Sequence, residues 1–585
     1  MRKLTLTLAR ALACASILVA GAALDAKAQT PDPGTPGTLA VTRVEYDYGN
    51  LAFQPSGFPS AVELKASVHY PTGLPGGPYP LVVFMHGRHV TCYRGSTTAL
   101  RWPCRNTETV IPSYKGYDYV AENLASHGYV VISISANGIN AYDNNVTDLG
   151  MQARAELIQR HLQQWNTFNT TGAAPFGTQF VGKVNLQKVG TMGHSRGGEG
   201  VVKHFAYNKS LNSPYGVKAV FPLAPVNFNR TVANNVPLSV VLPYCDGDVN
   251  DNQGVHFYDD ARYNVAGDAA PKHTIQVMGG NHNYFNTVWT PGFFPAGTAD
   301  DWGYTSGGTG DAQCGTVSGN HRLTSAQQRG VGLAYISAVM RAYVGGESQF
   351  LPYLTGAAAP PPSAQTSEIH VSYHAPDTAA TRRDVNRLLT STNLTTNTLG
   401  GASAQTGLTP HDLCGGPSPQ PQHCLPSTQS TARQPHTTVS ARATTVRGLS
   451  QLRTGWSSTT ATYTNNLPTG ATNVSAFQWL TFRVSVNFAD TRNPSGIPQN
   501  FTVVLTDGTG ATSALTVASY TDVLFYPPGS VGPVPKVVLN TARIPVSAFS
   551  GVNLSDIRSV QFKFDQSPSG ALLISDVSFS SPPVP

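Results

Sequence analysis

Short apolar runs alternate with amphipathic stretches between residues 40 and 345. The runs with the composition of buried strands are 81–87, 129–137, 189–195, 217–225, 237–245 and 273–279. The stretches with a helical spacing of apolar residues are 116–128, 149–166, 197–207 and 323–343. Strands that alternate with helices indicate an α/β fold, in which a mainly parallel sheet carries helices on both faces.

The pattern changes beyond a Pro-rich linker at 356–366. Apolar and polar residues then alternate between turn residues, in the segments 479–488, 500–508, 536–546, 559–566 and 571–580. A period of two that is bounded by turns is typical of antiparallel strands, so residues 367–585 are predicted to form a β-sandwich or jelly roll. One short helix is expected near 377–390.

The N-terminus has the pattern of a targeting segment. Arg2 and Lys3 precede an apolar run at 11–24, and a small-residue cleavage site follows at 26–28. The apolar run is too short for a membrane span, and no span is expected elsewhere. We therefore predict export to the extracellular space or the periplasm. The predicted divisions of this half are a signal peptide at 1–28, a linker at 29–39 and the α/β domain at 40–355.

The composition of the chain limits the kinds of molecule that it is expected to bind. The chain of 585 residues is too long for a single hydrophobic core, which agrees with two domains. Only 12% of the residues are charged, and the formal net charge of +6 is scattered along the chain. Because no run of Lys or Arg occurs, no nucleic-acid partner is expected. The oligomeric state stays open.

The cysteine count agrees with export. Cleavage of the signal peptide removes Cys14 from the seven cysteines and leaves an even number, which is typical of disulfides in exported proteins. Six cysteines allow 15 connectivities. Proximity in the sequence favours Cys92–Cys104 and Cys414–Cys424, and leaves Cys245–Cys314.

Candidate chemistry begins at Gly193-His194-Ser195-Arg196-Gly197. A serine on a tight turn between a strand and a helix needs small residues two places to either side, because the strained backbone leaves no room for larger ones. Here the pentapeptide follows an apolar strand and precedes a helical stretch. Ser195 is therefore predicted to be a nucleophile.

A nucleophilic serine needs a base and an acid that orients the base. In the fold that carries this elbow, the chain order is serine, acid, histidine. The next strands end at Asp246-Gly247-Asp248 and at Gly280-Asn281-His282, whereas His273 begins its strand at the opposite edge of the sheet. We predict His282 as the base and Asp248 as the acid. Asp248 is preferred to Asp246 because such turns place the acid a few residues beyond the strand.

The remaining candidates would surround these three residues. Two backbone N–H groups are required to hold an oxyanion, and Arg196 and Arg88 are predicted to supply them. The loop 286–320 is long for a compact domain, which suits a lid or binding loop, although a loop that packs on its own aromatic residues is an equal alternative. The candidates for contact with substrate are His89, His194, Trp289 and Trp302, with Phe293 and Phe294 in the same loop.

One metal alternative competes at the predicted acid. Asp246, Asp248, Asn250 and Asn252 alternate and Gly254 follows, which resembles a calcium loop without its bidentate glutamate. No His/Cys cluster has zinc spacing, and no Gly-rich phosphate motif occurs. We expect neither a metal nor an organic cofactor.

On these motifs, residues 40–345 resemble bacterial secreted α/β-hydrolases related to cutinase-like polyester hydrolases, dienelactone hydrolases and platelet-activating-factor acetylhydrolases. The elbow, extended to Gly198, is also similar to that of chlorophyllases. The resemblance implies ester hydrolysis through an acyl-enzyme. The chain departs from this pattern at the insertion 88–112 and at the loop 286–320, which would shape the acyl pocket. Residues 470–580 look like galactose-binding-like or carbohydrate-binding jelly rolls.

Three functions follow from these observations. The first is a secreted serine esterase, whose substrate is a polyester, an acylated polysaccharide or a lipid. The second is a peptidase or amidase with the same residues, and the third is a non-catalytic binding or adhesion protein on a hydrolase fold. The C-terminal domain is expected to bind glycan or polymer, or to brace the enzyme. Its candidate stacking residues are Trp456, Trp479 and Tyr526, although Trp479 lies inside a predicted strand, where core packing is favoured over stacking.

Overall fold

A computed structural model describes residues 30–304, 313–315, 319–365, 367–389, 394–429, 431–446, 448–527 and 535–582. The predicted signal peptide lies outside the described residues. Within them, no helix is both long enough and apolar enough to cross a membrane.

The first domain is built on a nine-stranded sheet with the order β1-β2-β7-β3-β8-β9-β10-β11-β12. Neighbours from β7 through β11 run parallel, and β1, β2 and β12 are antiparallel to theirs. The strands of this domain, which include the small sheet β4–β6, are β1 Val41–Asp47, β2 Lys65–Pro71, β3 Tyr79–Met85, β4 Cys92–Arg94, β5 Thr97–Ala99, β6 Thr109–Val110, β7 Val130–Ile134, β8 Val184–His194, β9 Val217–Leu223, β10 Leu238–Pro243, β11 Lys272–Val277 and β12 Ile369–His374.

Helices cover both faces of this sheet because apolar side chains alternate along the central strands. In β3, Leu81 and Val83 join one buried cluster, and Val82 and Phe84 join the other. The first cluster includes residues of α3 and α4, and the second includes residues of α1 and α6. The helices are α1 Asp118–Ser126, α2 Asn137–Tyr142, α3 Met151–Thr170, α4 Arg196–Ser210, α5 Val255–Ala261, α6 Ser325–Val339 and α7 Leu351–Thr355.

The largely parallel sheet with helices on both faces confirms the predicted α/β-hydrolase fold. Short 3₁₀ turns connect several elements and carry residues described below. The turns that matter here are Ser113–Tyr117, Asp143–Asn145, Asn283–Phe285 and Asp301–Tyr304.

The second domain is an antiparallel β-sandwich, as predicted. One sheet has the order β15-β16-β23-β18-β21, with β13 also paired to β23, and the other has the order β14-β17-β22-β19-β20. Its core is rich in aromatic side chains such as Trp456, Phe482 and Phe562. The strands are β13 Arg382–Asn386, β14 Ser403–Thr406, β15 Leu408–Cys414, β16 Gln451–Trp456, β17 Thr462–Asn466, β18 Trp479–Val486, β19 Thr502–Asp507, β20 Thr512–Thr516, β21 Asn540–Pro545, β22 Ile557–Lys563 and β23 Gly570–Ser580.

The short helix predicted near 377–390 is wrong. In its place, β13 pairs antiparallel with β23 at the edge of the sandwich. The local sequence favours a helix only weakly, and pairing with a neighbouring strand overrides that preference.

The junction between the domains differs from the expected linker boundary. Strand β12 lies beyond the Pro-rich segment, yet it pairs with β11 and completes the sheet of the first domain. On the sandwich side, β21 lies next to it, and the backbone N–H of Thr541 donates to Ser372 Oγ at 3.1 Å. Asn540 also donates to Gln276 of β11 at 2.7 Å. The two domains therefore share a buried interface.

A buried cluster of charges holds the same interface. Asp259 of α5 accepts hydrogen bonds from Arg483 at 2.9 Å and His436 at 2.7 Å, both of which belong to the second domain. Arg262, the residue that follows the end of α5, pairs with Asp576 of β23. Burial opposes ionisation of Asp259, but the surrounding cations outweigh it and hold the pKa of the carboxyl far below its usual range.

The structure contains the three disulfides that the sequence favoured. Cys92–Cys104 closes the insertion after β3, and Cys414–Cys424 closes a loop of the second domain. Cys245–Cys314 joins the end of β10 to the loop 286–320. Cys314 is therefore fixed beside the acid-bearing turn.

Replacing Asp259 with alanine is expected to destabilise the protein by about 3–5 kcal/mol, because it leaves buried cations without their partner. The measurement is denaturant unfolding of the full chain. Asp412→Ala is the control, since Asp412 pairs with Arg453 at the surface and should contribute less than about 1 kcal/mol. Equal losses in the two variants would contradict the assignment of Asp259 as a buried anchor.

Candidate active site

Ser195 lies on a strained turn between β8 and α4. Its backbone has φ 58° and ψ −123°, a conformation that L-residues rarely adopt. Gly193 and Gly197 make the turn possible, because a Cβ at Gly193 would collide with the carbonyl of Gly197. A Cβ at Gly197 would lie 2.5 Å from the carbonyl oxygen of Met85 at the end of β3. This is the elbow geometry that the pentapeptide predicts.

The turn after β3 packs directly against Ser195. A Cβ at Gly87 would lie 2.5 Å from the Cβ of Ser195, so only glycine fits there. Asn140 of α2 donates to the carbonyl oxygen of Gly87 at 3.0 Å, and the backbone N–H of Ala136 donates to His86 at 2.9 Å. These bonds fix the chain just before Arg88. The backbone N–H of Arg196 belongs to the first turn of α4, where N–H groups lack partners within the helix.

A buried carboxylate that the sequence did not reveal links the two arginines. Asp143, which is fully buried, accepts hydrogen bonds from Arg88 at 3.1 Å and from Arg154 at 2.8 Å. Arg196 approaches the same carboxylate at 2.8 Å. The side chains of Arg88 and Arg196, the two residues predicted to hold an oxyanion, therefore bind the same carboxylate. The partners are far apart in sequence, so no local spacing could have identified Asp143.

His282 binds Asp246 rather than Asp248. The Nδ1–H of His282 donates to Asp246 Oδ2 at 2.8 Å, and both side chains are buried. The other oxygen of Asp246 accepts the backbone N–H groups of Asp248 and Val249, at 3.0 and 2.6 Å. The chain therefore turns immediately after Cys245, and the side chain of Asp248 stays 64% exposed. The preference for Asp248 assumed a wider turn, with the acid a few residues beyond the end of the strand.

A second carboxylate faces the other nitrogen of the imidazole. Asp248 Oδ2 lies 3.4 Å from His282 Nε2. Burial opposes protonation of His282, but Asp246, Asp248 and Asp301 outweigh it and raise its pKa to about 10. The His194 ring lies 4.8 Å from that of His282, centroid to centroid, which brings His282 beside the elbow. Among the hydrogen bonds of the described residues, none joins Ser195 to His282.

Asp301 connects the two turns that carry Asp246 and His282. Its Oδ2 accepts the backbone N–H groups of Gly247 at 2.8 Å and His282 at 2.9 Å. Its Oδ1 accepts the N–H of Asn283 at 3.0 Å. Burial and the charge of Asp246 raise the pKa of Asp301 to about 6, against the opposing effect of His282. No sequence motif marks Asp301, because it lies in the long loop 286–320.

A cavity of about 340 Å³ opens beside these residues. Its lining includes Arg88, His89, Asp248, His282 and Asn283. His89 donates from Nε2 to the carbonyl oxygen of Gly297 at 2.7 Å, and residues 297–299 form part of the wall. Of the predicted contact residues, His89 lines this cavity.

Three other predicted contact residues, His194, Trp289 and Trp302, are buried behind the cavity, whereas Phe293 is exposed. Trp289 stacks on His89 with ring centroids 5.0 Å apart, and it also contacts His194. His194 lies within hydrogen-bonding distance of Tyr117 Oη, at 2.9 Å. Trp302 packs with Cys245 and Cys314. These residues support the wall and the disulfide through contacts with His89, His194 and Cys245, which lie outside the loop.

The alternating Asp/Asn residues after β10 form a hydrogen-bonded turn. Both oxygens of Asp246 accept hydrogen bonds, as described above. Asn252 donates from its side chain to the carbonyl oxygen of Pro243 at 2.8 Å, which closes the turn. In the part of the chain that the structure describes, no three His, Cys, Asp or Glu residues group as a metal site. In the second domain, Trp456 and Trp479 are buried, and Tyr526 is half-buried against Phe488.

A strained serine at the end of a parallel strand, with a carboxylate–histidine pair on later turns of the same sheet edge, is the arrangement of an α/β-hydrolase domain. Residues 108–290 match a family model described as PET hydrolase-like. The matched segment contains Ser195, Asp246 and His282, and it ends before the second domain. No curated protein matches the chain.

Replacing Asp248 with asparagine is expected to lower the pKa of His282, because one of the carboxylates that stabilise the imidazolium is removed. The pKa is measured by NMR of ¹³Cε1-labelled histidine, with the His282 signal assigned from His282→Gln. Asp300→Asn is the matched control, since Asp300 pairs with Arg322. An unchanged His282 pKa in Asp248→Asn would show that the charge of Asp248 does not stabilise the protonated imidazole.

Proposed function

We propose that the protein is a secreted serine hydrolase of carboxylic esters, with Ser195 as nucleophile, His282 as base and Asp246 as the acid that orients the base. The hydrogen bond between His282 and Asp246, beside a strained serine in a PET hydrolase-like segment, carries this proposal. The same geometry would serve a peptidase. The family match favours esters.

In the proposed reaction, neutral His282 removes the proton from Ser195 as the hydroxyl oxygen attacks the ester carbonyl. The tetrahedral intermediate collapses when His282 returns that proton to the alcohol that leaves. Water, activated by the same nitrogen, then releases the acid from the acyl-enzyme. Asp246 holds Nδ1 protonated, so that Nε2 faces the serine. For this, Nε2 must exchange its contact with Asp248 for the hydroxyl of Ser195.

The backbone N–H groups of Arg88 and Arg196 hold the oxyanion in this proposal. Each such donor is worth about 3 kcal/mol of the barrier. Asp143 supports the arrangement, since it anchors both side chains and thereby limits the movement of both loops. Asp301 acts likewise on the acid and base turns, because its carboxylate binds the backbone of both.

The family match and the cavity support a polymeric ester as the substrate. A PET hydrolase-like segment favours an aromatic or aliphatic polyester, or a smaller ester with the same acyl group. The cavity is open to the surface, which suits a chain end or loop of a polymer. Export is supported by the pattern of the first 28 residues and by three disulfides.

A fluorophosphonate probe is expected to label the wild-type protein at one site, because an activated serine attacks phosphorus as it attacks a carbonyl. Ser195→Ala should abolish labelling, and Asp246→Asn should slow it by about 10³–10⁴-fold, as the loss of a triad acid does elsewhere. The activity panel comprises p-nitrophenyl esters, polyester film and peptide anilides. Hydrolysis of anilides but not esters would indicate a peptidase, and no labelling of folded protein would contradict a serine hydrolase.

The pH dependence tests the role of His282. Only the neutral imidazole accepts the serine proton, and the pKa is raised, so kcat/KM is expected to rise with pH above neutrality. Asp248→Asn lowers that pKa and should shift the rising limb to lower pH. A rising limb at the same pH in Asp248→Asn and wild type would show that His282 is not the group whose deprotonation controls kcat/KM.

A further inference from the structure

The turn that carries Asp246 is held from outside its own domain. This segment, residues 243–252, is called the acid turn below. Lys536, which precedes β21 of the sandwich, donates from Nζ to the carbonyl oxygen of Tyr244 at 2.8 Å and to Asn252 Oδ1 at 3.1 Å. Its backbone N–H donates to the hydroxyl of Tyr244 at 3.1 Å, and its Nζ lies 5.4 Å from the centre of that ring.

These contacts reach both ends of the acid turn. Tyr244 precedes Cys245 and Asp246, and Asn252 ends the segment. Asn252 in turn donates to Pro243, so Lys536 joins a closed chain of hydrogen bonds around the turn. A Lys that binds two points of one loop limits how the intervening residues move. The residue so constrained is Asp246, whose carboxylate binds His282.

Burial of this lysine needs an explanation, because a buried ammonium costs several kcal/mol unless it is compensated. Lys536 is only 5% exposed. Its burial lowers the pKa of the amine to about 8, with Arg433 acting in the same direction, while Asp246, Asp251 and Asp301 favour the charged form. Two of these three carboxylates, Asp246 and Asp301, bind His282 and its backbone. The charge of Lys536 is therefore directed at the acidic side of the site.

We propose that Lys536 is a positioning residue for the acid turn, so that the β-sandwich domain completes the active site. This inference rests on the proposed function, since it assigns a role toward Asp246 and His282. The ammonium holds the Tyr244 carbonyl and the Asn252 side chain, and its charge partly offsets the negative charge of Asp246 and Asp301.

The alternative is that Lys536 only attaches the two domains. Other contacts already perform that task. Asp259 binds Arg483 and His436, Asn540 binds Gln276, and β12 spans the junction. A residue that serves attachment alone would change stability without changing the chemistry of His282, which makes the two roles separable.

The test uses Lys536→Met in the full chain, which keeps the length of the side chain and removes the charge and the donors. Lys272→Met is the matched control. Lys272 is also buried and donates to two carbonyl oxygens, of Val236 and Ala270, but it begins β11 at the opposite edge of the sheet. Rates are expressed per active site titrated with the fluorophosphonate, so that unfolded protein does not count.

Lys536→Met is expected to lower kcat by about 10- to 100-fold with KM nearly unchanged, because the base is held out of place but the cavity is intact. Lys272→Met should lose thermal stability, with kcat per titrated site as in the wild type.

Equal kcat per titrated site in wild type and Lys536→Met would overturn the proposal. If Lys536→Met does not fold, Lys536→Gln, which has a shorter side chain and no charge, should still lower kcat per titrated site. A wild-type protein that the probe fails to label would refute the esterase, whereas a labelled wild type with the same kcat per titrated site as the Lys536 variants would refute only this inference.

Discussion

The hydrogen bond between His282 and Asp246 places an ionisable pair where water barely reaches, and the surrounding structure compensates for that burial. Backbone N–H groups of Asp248 and Val249 bind the free oxygen of Asp246. Asp301 binds the backbone beside both residues, and Lys536 lies behind the turn. A buried charge that lost any of these partners would pay a desolvation penalty of several kcal/mol. The position of each of these groups is therefore tied to that of the others.

Much of this arrangement could be predicted from local sequence. The Gly193–Gly197 elbow requires small residues at fixed spacing, and His282 follows from its place after a strand. The choice between Asp246 and Asp248 could not, because it depends on whether the backbone turns at once after Cys245. Asp143 and Asp301 were equally hidden, since their partners are brought close only by the folded chain. Neither has a periodicity or a spacing that distinguishes it from a solvated carboxylate.

The boundary between the domains also depends on contacts that the local sequence does not reveal. The Pro-rich segment and the change from helical to alternating pattern correctly separate an α/β fold from a β-sandwich. They do not show that β12, which follows the proline residues, returns to pair with β11. Strand pairing depends on which edge of a sheet is free, and sequence periodicity carries no information on that. Trp456 is likewise a candidate for stacking on a ligand by sequence, whereas in the structure it packs in the core of the sandwich.

The pairing of β12 with β11 has a consequence for the order in which the molecule is made. Residues 272–277 leave the ribosome almost a hundred residues before the strand that covers their edge. The lysine that reaches the acid turn is synthesised later still, after most of the sandwich. A nascent chain therefore contains the serine elbow and the histidine long before the parts that hold them in register. Folding to a complete site is in this way coupled to completion of the whole polypeptide, and an incomplete chain is left with an uncovered sheet edge.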